Sequence, residues 1–352
     1  MKITSVSDSQ AYCNSEETPV QSLAEIDQFV SHELRTPITS IKVALNLLKT
    51  EKLGTLSSKG QRLIEIALNN TDRLIRLSQI LENQSSLQSL VSLEMIEKFR
   101  LEKELYQALK QDEFVLFYQP IVCTQNAKIA GFEALIRWQH PRRGWVTPIE
   151  FIPLAEETGL IQLIGDWVLC QACQQLKIWQ EQFPLDSSLK MSVNLSTLQL
   201  SDPQLSLRVQ QIIQQTGLNP QSLQLEITET SFLDHSPIAI ANLHNLKQQG
   251  VYLHIDDFGT GYSSLSRLQD WPIDVLKIDN SFVRSGKWNM IQAILILAQS
   301  LNVEVIAEGV ETEQDWVQLQ QLGCPYLQGY LFSRPLDSQA ATLLIAEELT
   351  CD

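Results

Sequence analysis

The chain has 352 residues, of which 44% are hydrophobic, and its formal net charge is -15. This length accommodates one large domain and a smaller one, and the hydrophobic fraction is typical of a globular protein with a sizeable core. The acidic balance excludes proteins that coat a nucleic-acid polymer, because their surfaces are basic. Residues 101–352 hold 15 basic and 29 acidic residues, whereas residues 1–100 hold 11 and 12. Acidic side chains that converge in the C-terminal part would either repel one another or hold divalent cations.

The sequence predicts a cytoplasmic protein without a membrane partner. Residues 1–24 are polar and lack the apolar segment of a signal peptide. The longest apolar stretch, around MIQAILILA, is far shorter than the roughly 20 residues that cross a bilayer. The six cysteines are scattered, which is typical of a reducing compartment. Cys170 and Cys173 have C-x-x-C spacing, but they lie in an amphipathic helical stretch without a second pair, so we interpret them as structural.

Two amphipathic helical patterns follow residues 1–23, which we predict to be a flexible tail. They occupy residues 24–85 and are joined by the turn EKLGTLSSKG. Their apolar stripes consist of Phe29, Ile38, Ile41, Ala44, Leu45 and Leu48, then Leu63, Ile64, Ala67, Leu74, Leu77 and Ile80. Because a hairpin of two helices cannot bury both faces alone, we expect it to dimerise as a four-helix bundle. The charged segment 86–110 is predicted to be a helical connector.

Strands and helices alternate from residue 111 to residue 345. The eight predicted strands are FVLFYQPIV, GFEALIRW, KMSVNLS, LQLEITE, VYLHIDDF, VLKID, EVIAEGV and YLQGYLFS. Helical patterns separate most of them. Eight short strands with mostly helical crossovers predict an α/β fold, a TIM-type (β/α)8 barrel. A doubly wound open sheet is the alternative on this pattern alone.

Polar residues occur at or near the ends of most of these strands. They are Glu133, Asn194, Glu226, Asp256, Asp257, Lys277, Asp279, Glu308, Glu311 and Gln328. In a barrel, the C-terminal ends of several strands together build the active site. Carboxylate and amide oxygens suit Mg²⁺ or Mn²⁺, and the absence of histidine from this set argues against zinc. Simple exposure of strand ends would explain one such residue, but not acids set directly into the apolar strands of LEITE, HIDDF and VIAEGVE.

Two adjacent aspartates could bridge a pair of ions, because one residue can bind both while its neighbour binds the second. Two ions about 3.5–4 Å apart stabilise the attacking and leaving oxygens of a phosphoryl displacement. Lys277 could orient a water molecule or neutralise a phosphate oxygen. The pattern therefore favours metal-assisted phosphoryl chemistry.

Nine motifs occur in a fixed order over about residues 100–340. They are FYQP, GFEALIRWQHP, EFIPLAEETGLI, VNLS, LEITET, IDDFGTGYSSL, LKIDNSF, VIAEGVE and LQGYLFSRPL. This succession resembles the EAL-domain family of cyclic di-GMP phosphodiesterases, whose signature stands here as Glu133-Ala134-Leu135. The resemblance implies a (β/α)8 barrel, two Mg²⁺ or Mn²⁺ ions per active site, and hydrolysis of cyclic di-GMP to linear pGpG.

The resemblance also implies a role for each matching residue. Those matching the ligands of the first ion are Glu133, Asn194, Glu226 and Asp256. Asp256 would bridge to a second ion held also by Asp257, with Glu308 as a further ligand or a base. Lys277 matches the lysine that contacts the attacking water. Residues matching substrate-contacting or ordering positions are Gln119, Arg137, Asp279 and Gln328, and Glu311 matches a supporting acid.

The turn after the fifth strand matches the family's intact form. Glu229 would hold the loop that runs from Gly259 through Gly261 to Ser263 and Ser264, and so fix the two aspartates. One departure is the segment NSFVRSGKWNMIQ, which is several residues shorter than usual in a region that contributes to family dimers.

The segment FVSHELRTPITSI resembles the H-box of histidine kinase dimerisation and phosphoacceptor (HisKA) domains over about residues 25–85. His32 would be the phosphorylated residue, assisted by Glu33. The D-x-G-x-G that begins at Asp257 could then belong to a kinase ATP-binding domain. However, Asn242 and Asn245 precede it by only 15 and 12 residues, and no second glycine-rich lid follows. The hairpin is therefore either a dimerisation module or the docking and phosphorylation site of a separate histidine kinase or response regulator.

Together these patterns predict a cyclic di-GMP phosphodiesterase, dimeric through its N-terminal hairpin. The alternative is a non-catalytic receptor or scaffold that binds cyclic di-GMP and signals through the helical dimer. Binding of cyclic di-GMP without turnover would distinguish the receptor or scaffold from the phosphodiesterase.

Overall fold

The computed structural model describes residues 35, 37–49, 60, 64, 67–68, 71, 74–75, 98, 100–183, 189–232, 236–261, 268 and 271–350. The chain divides into two compact units, Met1–Arg100 and Leu101–Asp352. Several predictions lie outside the described residues: the flexible tail, the phosphoacceptor His32 with Glu33, and the loop serines Ser263 and Ser264.

The first unit is helical wherever it is described. Residues 37–49 form a helix, and each described residue between Gly60 and Ile75 is helical as well. Ile38 and Ile64 are buried, whereas Ile41 and Leu74 of the predicted apolar stripes are 51% and 45% exposed. The predicted helical character is confirmed at these residues, while the four-helix bundle stays a prediction.

The described part of the second unit contains a nine-stranded sheet. Its strands are β1 (Phe114–Cys123), β2 (Ile129–His140), β3 (Gly144–Val146), β4 (Lys190–Asn194), β5 (Leu223–Thr228), β6 (Tyr252–Phe258), β7 (Val275–Ile278), β8 (Glu304–Ala307) and β9 (Tyr326–Gln328). The order is β1-β9-β8-β7-β6-β5-β4-β2-β3, and β1 also pairs with β2. That pairing closes eight strands into a barrel and leaves β3 as an extension of β2. The predicted barrel is confirmed.

The first strand departs from an all-parallel barrel. β1 is antiparallel to both of its neighbours, whereas the other barrel pairs are parallel. The cause is the connection between β1 and β2, since residues 124–128 are too few for a crossover helix and suffice only for a hairpin.

Helices cover the outside of the barrel. They are α1 (Pro148–Thr158), α2 (Ile161–Gln182), α3 (Thr197–Leu200), α4 (Leu205–Thr216), α5 (Pro237–Gln248), α6 (Asn280–Arg284), α7 (Trp288–Leu301), α8 (Glu313–Gln321) and α9 (Ser338–Thr350). A capping box between Thr147 and Glu150 starts α1, and Gly159, whose φ is 73°, ends it. No helix among the described residues is both long and apolar enough to span a bilayer.

The barrel interior divides into an apolar end and a polar end. Ile121, Val275 and Ile306 form a small buried cluster inside it, against which Tyr326 packs. Alternate residues of each strand face inward. The residues two positions away from this cluster, towards the C-terminal ends of the parallel strands, therefore also face the interior. Those residues include Lys277 on β7, and they form the candidate site.

Candidate active site

The C-terminal ends of the parallel strands bring the predicted polar residues into one cluster. The strands place Glu133 on β2, Asn194 on β4, Glu226 on β5, Asp256 and Asp257 on β6, Lys277 on β7 and Gln328 on β9, while Glu308 directly follows β8. In the strand registers, Gln119 of β1 lies opposite Glu133, and Asn194 lies opposite Glu226. Residues far apart in the chain therefore share one layer of the barrel.

Two amide side chains orient the carboxylate of Glu133, which is buried. Asn194 donates from Nδ2 to Oε1 at 2.7 Å, and Gln328 donates from Nε2 to Oε2 at 2.6 Å. The same Nε2 of Gln328 also donates a hydrogen bond to Oε1 of Gln119 at 3.2 Å. Each carboxylate oxygen thus has a donor, which restricts rotation of the carboxylate.

Lys277 is the centre of the cluster and is only 1% exposed. Its Nζ lies 2.6 Å from Oε1 of Glu308, 2.7 Å from Oε2 of Glu226, 3.1 Å from Oδ1 of Asp256 and 3.6 Å from Oε2 of Glu133. Burial alone would lower the pKa of Lys277, but the surrounding carboxylates together outweigh it and raise that pKa well above its ordinary value. The lysine is therefore a fixed positive charge among four acids.

The acids themselves hold protons more tightly than usual. Burial raises the pKa of Glu133 to about 7 and that of Glu308 to about 8; Lys277 opposes the shift, and neighbouring carboxylates add to it. Burial, followed by the charge of Asp256, raises the pKa of Asp257 to about 6. One lysine does not neutralise so many carboxylates, so the cluster has a deficit of positive charge.

We expect the metal-free protein to lose stability as the pH rises from about 5 to about 8.5. A carboxyl group with a raised pKa binds its proton more tightly in the folded than in the unfolded state, so its contribution is complete below its ordinary pKa and is lost as the pH rises through its folded value. For Glu133 and Glu308 those folded values are about 7 and about 8. Thermal unfolding in chelator at several pH values measures the slope of the melting temperature against pH. Glu308→Gln should make the slope shallower, and a melting temperature that does not fall across this range would contradict the prediction.

The cluster fits a divalent cation. Oxygens of Asp256, Asp257 and Glu308 lie within 4.8 Å of one another. Among the described residues, the buried Oε1 of Glu226, Oδ1 of Asp256 and Oε1 of Gln328 lack a hydrogen bond. The ammonium of Lys277 lies 3.1 Å from Oδ1 of Asp256 as an ion pair without a hydrogen bond. Buried oxygens without donors, in a set made only of carboxylates and amides, match the preference of hard cations.

The turn after Asp257 has a constrained backbone. Asp257 has a φ of 54° and Gly259 a φ of 97°, both in the left-handed region. Oε2 of Glu229 accepts hydrogen bonds from the backbone N–H groups of Gly259 at 2.8 Å and Gly261 at 3.3 Å. A Cβ on Gly261 would lie 2.7 Å from Oε1 of Glu229. The glutamate therefore lies directly against the turn and stabilises its conformation.

Three predicted residues lie at the edge of the cluster or outside it. Arg137, four residues after Glu133 and on the same face of β2, is half-buried and donates to the carbonyl of Ile136. Asp279 caps α6 by accepting from the backbone N–H of Ser281 at 3.0 Å. Glu311 is exposed and forms a 2.7 Å ion pair with Arg284. The structure thus places Glu311 in a surface ion pair outside the buried cluster.

One buried residue beside the cluster was missed by the sequence analysis. His254 is 0% exposed, and its Nδ1 lies 3.6 Å from Oε1 of Glu226. Burial, and then the charge of Lys277, lowers the pKa of His254 to about 3, so the imidazole is neutral. Its position two residues before Asp256 on one strand, which puts both on the same face, is a signal that could have identified it.

Comparisons with known proteins agree with this geometry. The sequence profile of the EAL domain matches residues 102–335, and that of the His Kinase A (phospho-acceptor) domain matches residues 28–90. Both predicted resemblances are confirmed.

Curated relatives share the C-terminal part of the chain. The bifunctional diguanylate cyclase/cyclic di-GMP phosphodiesterase MucR of Pseudomonas aeruginosa is 41% identical over 255 residues, which is 71% of this chain and 37% of MucR. The cyclic di-GMP phosphodiesterase PdeR of Escherichia coli K12 is 37% identical over 245 residues, 68% of this chain and 36% of PdeR. The chain spans about a third of the length of the curated relatives it matches.

Solved structures show the same fold. The PaMucR phosphodiesterase in complex with c-di-GMP has a TM-score of 0.66 at 41% identity and covers 69% of this chain and 99% of that one. The FimX EAL domain from Pseudomonas aeruginosa bound to c-di-GMP has a TM-score of 0.61 at 25% identity, over 67% of this chain and 96% of that one. From the extent of the profile match and the identity to these relatives, the chain belongs to the EAL domain family.

Proposed function

We propose that this chain hydrolyses cyclic di-GMP to linear pGpG with the help of divalent cations. The observation that carries the proposal is the buried cluster of oxygen ligands around Lys277, at the ends of the barrel strands. MucR and PdeR are named as cyclic di-GMP phosphodiesterases, and the PaMucR structure is a complex with c-di-GMP, which supports the choice of substrate.

Two Mg²⁺ or Mn²⁺ ions are the proposed cofactors. The ligands of the first ion would be Glu133, Asn194, Glu226 and Asp256. The ligands of the second ion would be Asp256, Asp257 and Glu308. The buried oxygens without hydrogen-bond donors support this assignment. When bound, such ions activate water and neutralise charge on a phosphate.

The chain's own residues prepare the site for an anionic substrate. Lys277 is held rigidly by its carboxylate partners, so its charge acts in a low-dielectric environment without reorganisation. Glu308 would be a metal ligand or a base, and a pKa raised to about 8 makes its carboxylate a stronger proton acceptor near neutral pH than an ordinary glutamate. Glu229 would keep Asp256 and Asp257 in place through the turn that follows them.

Recognition of the substrate is assigned to residues around this cluster. Arg137 is suited to a phosphate because its guanidinium has several donors in a fixed plane. Gln119, Gln328 and Asp279 would contact the nucleotide or order the site. Because the barrel unit is strongly acidic, an anionic dinucleotide needs the cations in order to bind there.

Turnover by the purified full-length chain tests the proposal. With Mg²⁺ or Mn²⁺ the protein should convert cyclic di-GMP to pGpG, and an excess of chelator should abolish the reaction. Glu133→Ala should be inactive because it removes the carboxylate that Asn194 and Gln328 orient, whereas Glu313→Ala, at an exposed acid, should stay active. Intact substrate after prolonged incubation with either metal would reject hydrolysis, and binding without turnover would assign the receptor role instead.

We infer that the N-terminal segment serves as a homodimeric regulatory module. The His Kinase A profile match at residues 28–90 and the exposed Ile41 and Leu74 support this. A separate histidine kinase or response regulator would be its partner, with His32 as the phosphoacceptor. Transfer of phosphate from a purified kinase to the chain, lost in His32→Ala, is the discriminating measurement.

A further inference from the structure

The carboxylate of Glu226 has different surroundings on its two sides. Oε2 accepts from Nζ of Lys277 at 2.7 Å. Oε1 is buried, lacks a hydrogen bond from any described residue, and lies 3.6 Å from Nδ1 of His254. One side of the proposed metal ligand is therefore held by a charged donor, and the other side faces an imidazole.

His254 has unsatisfied polar atoms of its own. The side chain is 0% exposed, and neither ring nitrogen has a hydrogen bond within the part of the chain that the structure describes. A neutral imidazole carries one N–H, and a buried N–H without an acceptor is unfavourable.

Strand register keeps the two groups together. Glu226 and His254 are direct partners in the parallel pairing of β5 with β6. A movement of less than about 1 Å would bring Nδ1 within hydrogen-bonding distance of Oε1, since such bonds span about 2.7–3.2 Å. The backbone pairing need not change for this movement.

We propose that His254 is a positioning residue, which donates Nδ1–H to one lone pair of Oε1 of Glu226 and so fixes the carboxylate, whose other lone pairs stay available to the cation. The inference rests on the proposed function only in taking Glu226 as a metal ligand. A neutral donor suits the task, because it restricts the carboxylate without adding positive charge that would repel the ion. Hydrogen-bond partners of metal ligands tune affinity in this manner.

The competing interpretation is that His254 only fills space in the barrel. Val275 lies opposite His254 in the register of β6 with β7, is buried, and belongs to the apolar cluster. A side chain that merely packs there could be replaced by leucine without effect on the ion. The two interpretations therefore differ in what they predict for a change that removes the donor.

Calorimetric titration of the full chain with Mn²⁺ alone, without nucleotide, separates them. His254→Leu should weaken Mn²⁺ binding about 10–100-fold, the range for loss of a partner to a metal ligand. His254→Asn should bind about as tightly as the parent, because its amide N–H can occupy the position of Nδ1. Val275→Ala is the matched packing control and should also keep the parent's affinity. Unchanged affinity in His254→Leu, or an equal loss in all three variants, would overturn the inference.

A measurement on the unaltered chain covers the case in which His254→Leu does not fold. The imidazole nitrogens of ¹⁵N-histidine-labelled protein should show a proton on Nδ1 of His254, assigned by the signal that His254→Asn removes. A proton on Nε2 would overturn the inference, because Nδ1 would then present a lone pair to the carboxylate. Both measurements are independent of turnover, so failure to hydrolyse cyclic di-GMP and failure of His254 to position Glu226 give different results.

Discussion

Lys277→Met should lower kcat by roughly 10²–10³-fold and destabilise the metal-free protein. The catalytic loss follows because a preorganised charge in a site that excludes water stabilises charge that develops in the transition state. The loss of stability follows because Nζ contacts Glu308, Glu226, Asp256 and Glu133 at 2.6–3.6 Å. Removing one partner from a buried ion pair costs about 3–5 kcal/mol. Urea unfolding in chelator and steady-state kinetics measure the two effects.

The destabilisation should depend on pH and on metal. Glu133 and Glu308, whose pKa values are raised to about 7 and about 8, are largely protonated at pH 5, so Lys277→Met should cost less there than at pH 8. Mn²⁺ should restore part of the loss because it replaces the missing positive charge. The matched control is Lys247→Met, which breaks an ion pair with Asp274 at the opposite end of the strands. It should leave kcat unchanged. Equal catalytic losses in the two variants would contradict a specific role for Lys277.

Gly329→Ala should destabilise the protein by about 3 kcal/mol, the upper range for forced overpacking, and weaken the site with it. A Cβ at this position would lie 2.0 Å from the carbonyl oxygen and 2.4 Å from the nitrogen of Val310. These are backbone atoms, so the clash cannot be relieved by a change of side-chain rotamer. They also form hydrogen bonds with Gln328 and Leu331, so the loop after β8 and the end of β9 must move apart.

The consequence for the site follows from the neighbouring residue. Gln328 donates to the carboxylate of Glu133 at 2.6 Å, so displacement of β9 removes one of the two amides that orient that acid. Mn²⁺ titration and urea unfolding of Gly329→Ala should both show losses. Gly217→Ala is the control, because a Cβ there meets nothing within 4 Å although φ is 65°, and it should cost only about 1–2 kcal/mol. A Gly329→Ala protein with parental stability and Mn²⁺ affinity would contradict this account.

The barrel was predictable from the sequence because each strand carries a local signal. Short apolar runs such as those of β5 and β7 are separated by helical patterns, and a barrel is the compact arrangement of eight such units. The antiparallel direction of β1 was harder to predict from the sequence. It depends on the length of the turn at residues 124–128, which allows a hairpin but no crossover helix.

The sequence by itself determined the chemical character of the site. Acids and amides at successive strand ends must meet at one face of a barrel, since strands alternate their side chains with a period of two and end on a common rim. For this reason Glu133, Glu226 and Lys277 could be named before any distance was known.

Only the tertiary structure decided which of these groups touch. Lys277 on β7 and Glu226 on β5 are 51 residues apart and meet inside the barrel across the intervening strand β6. Glu311, close to Glu308 in sequence, instead turns outward to Arg284. His254 lies beside Glu226 for the same reason, because register, barrel closure and side-chain rotamers act between distant segments. Local sequence patterns state what a residue can do, and long-range packing selects the partner with which it does so.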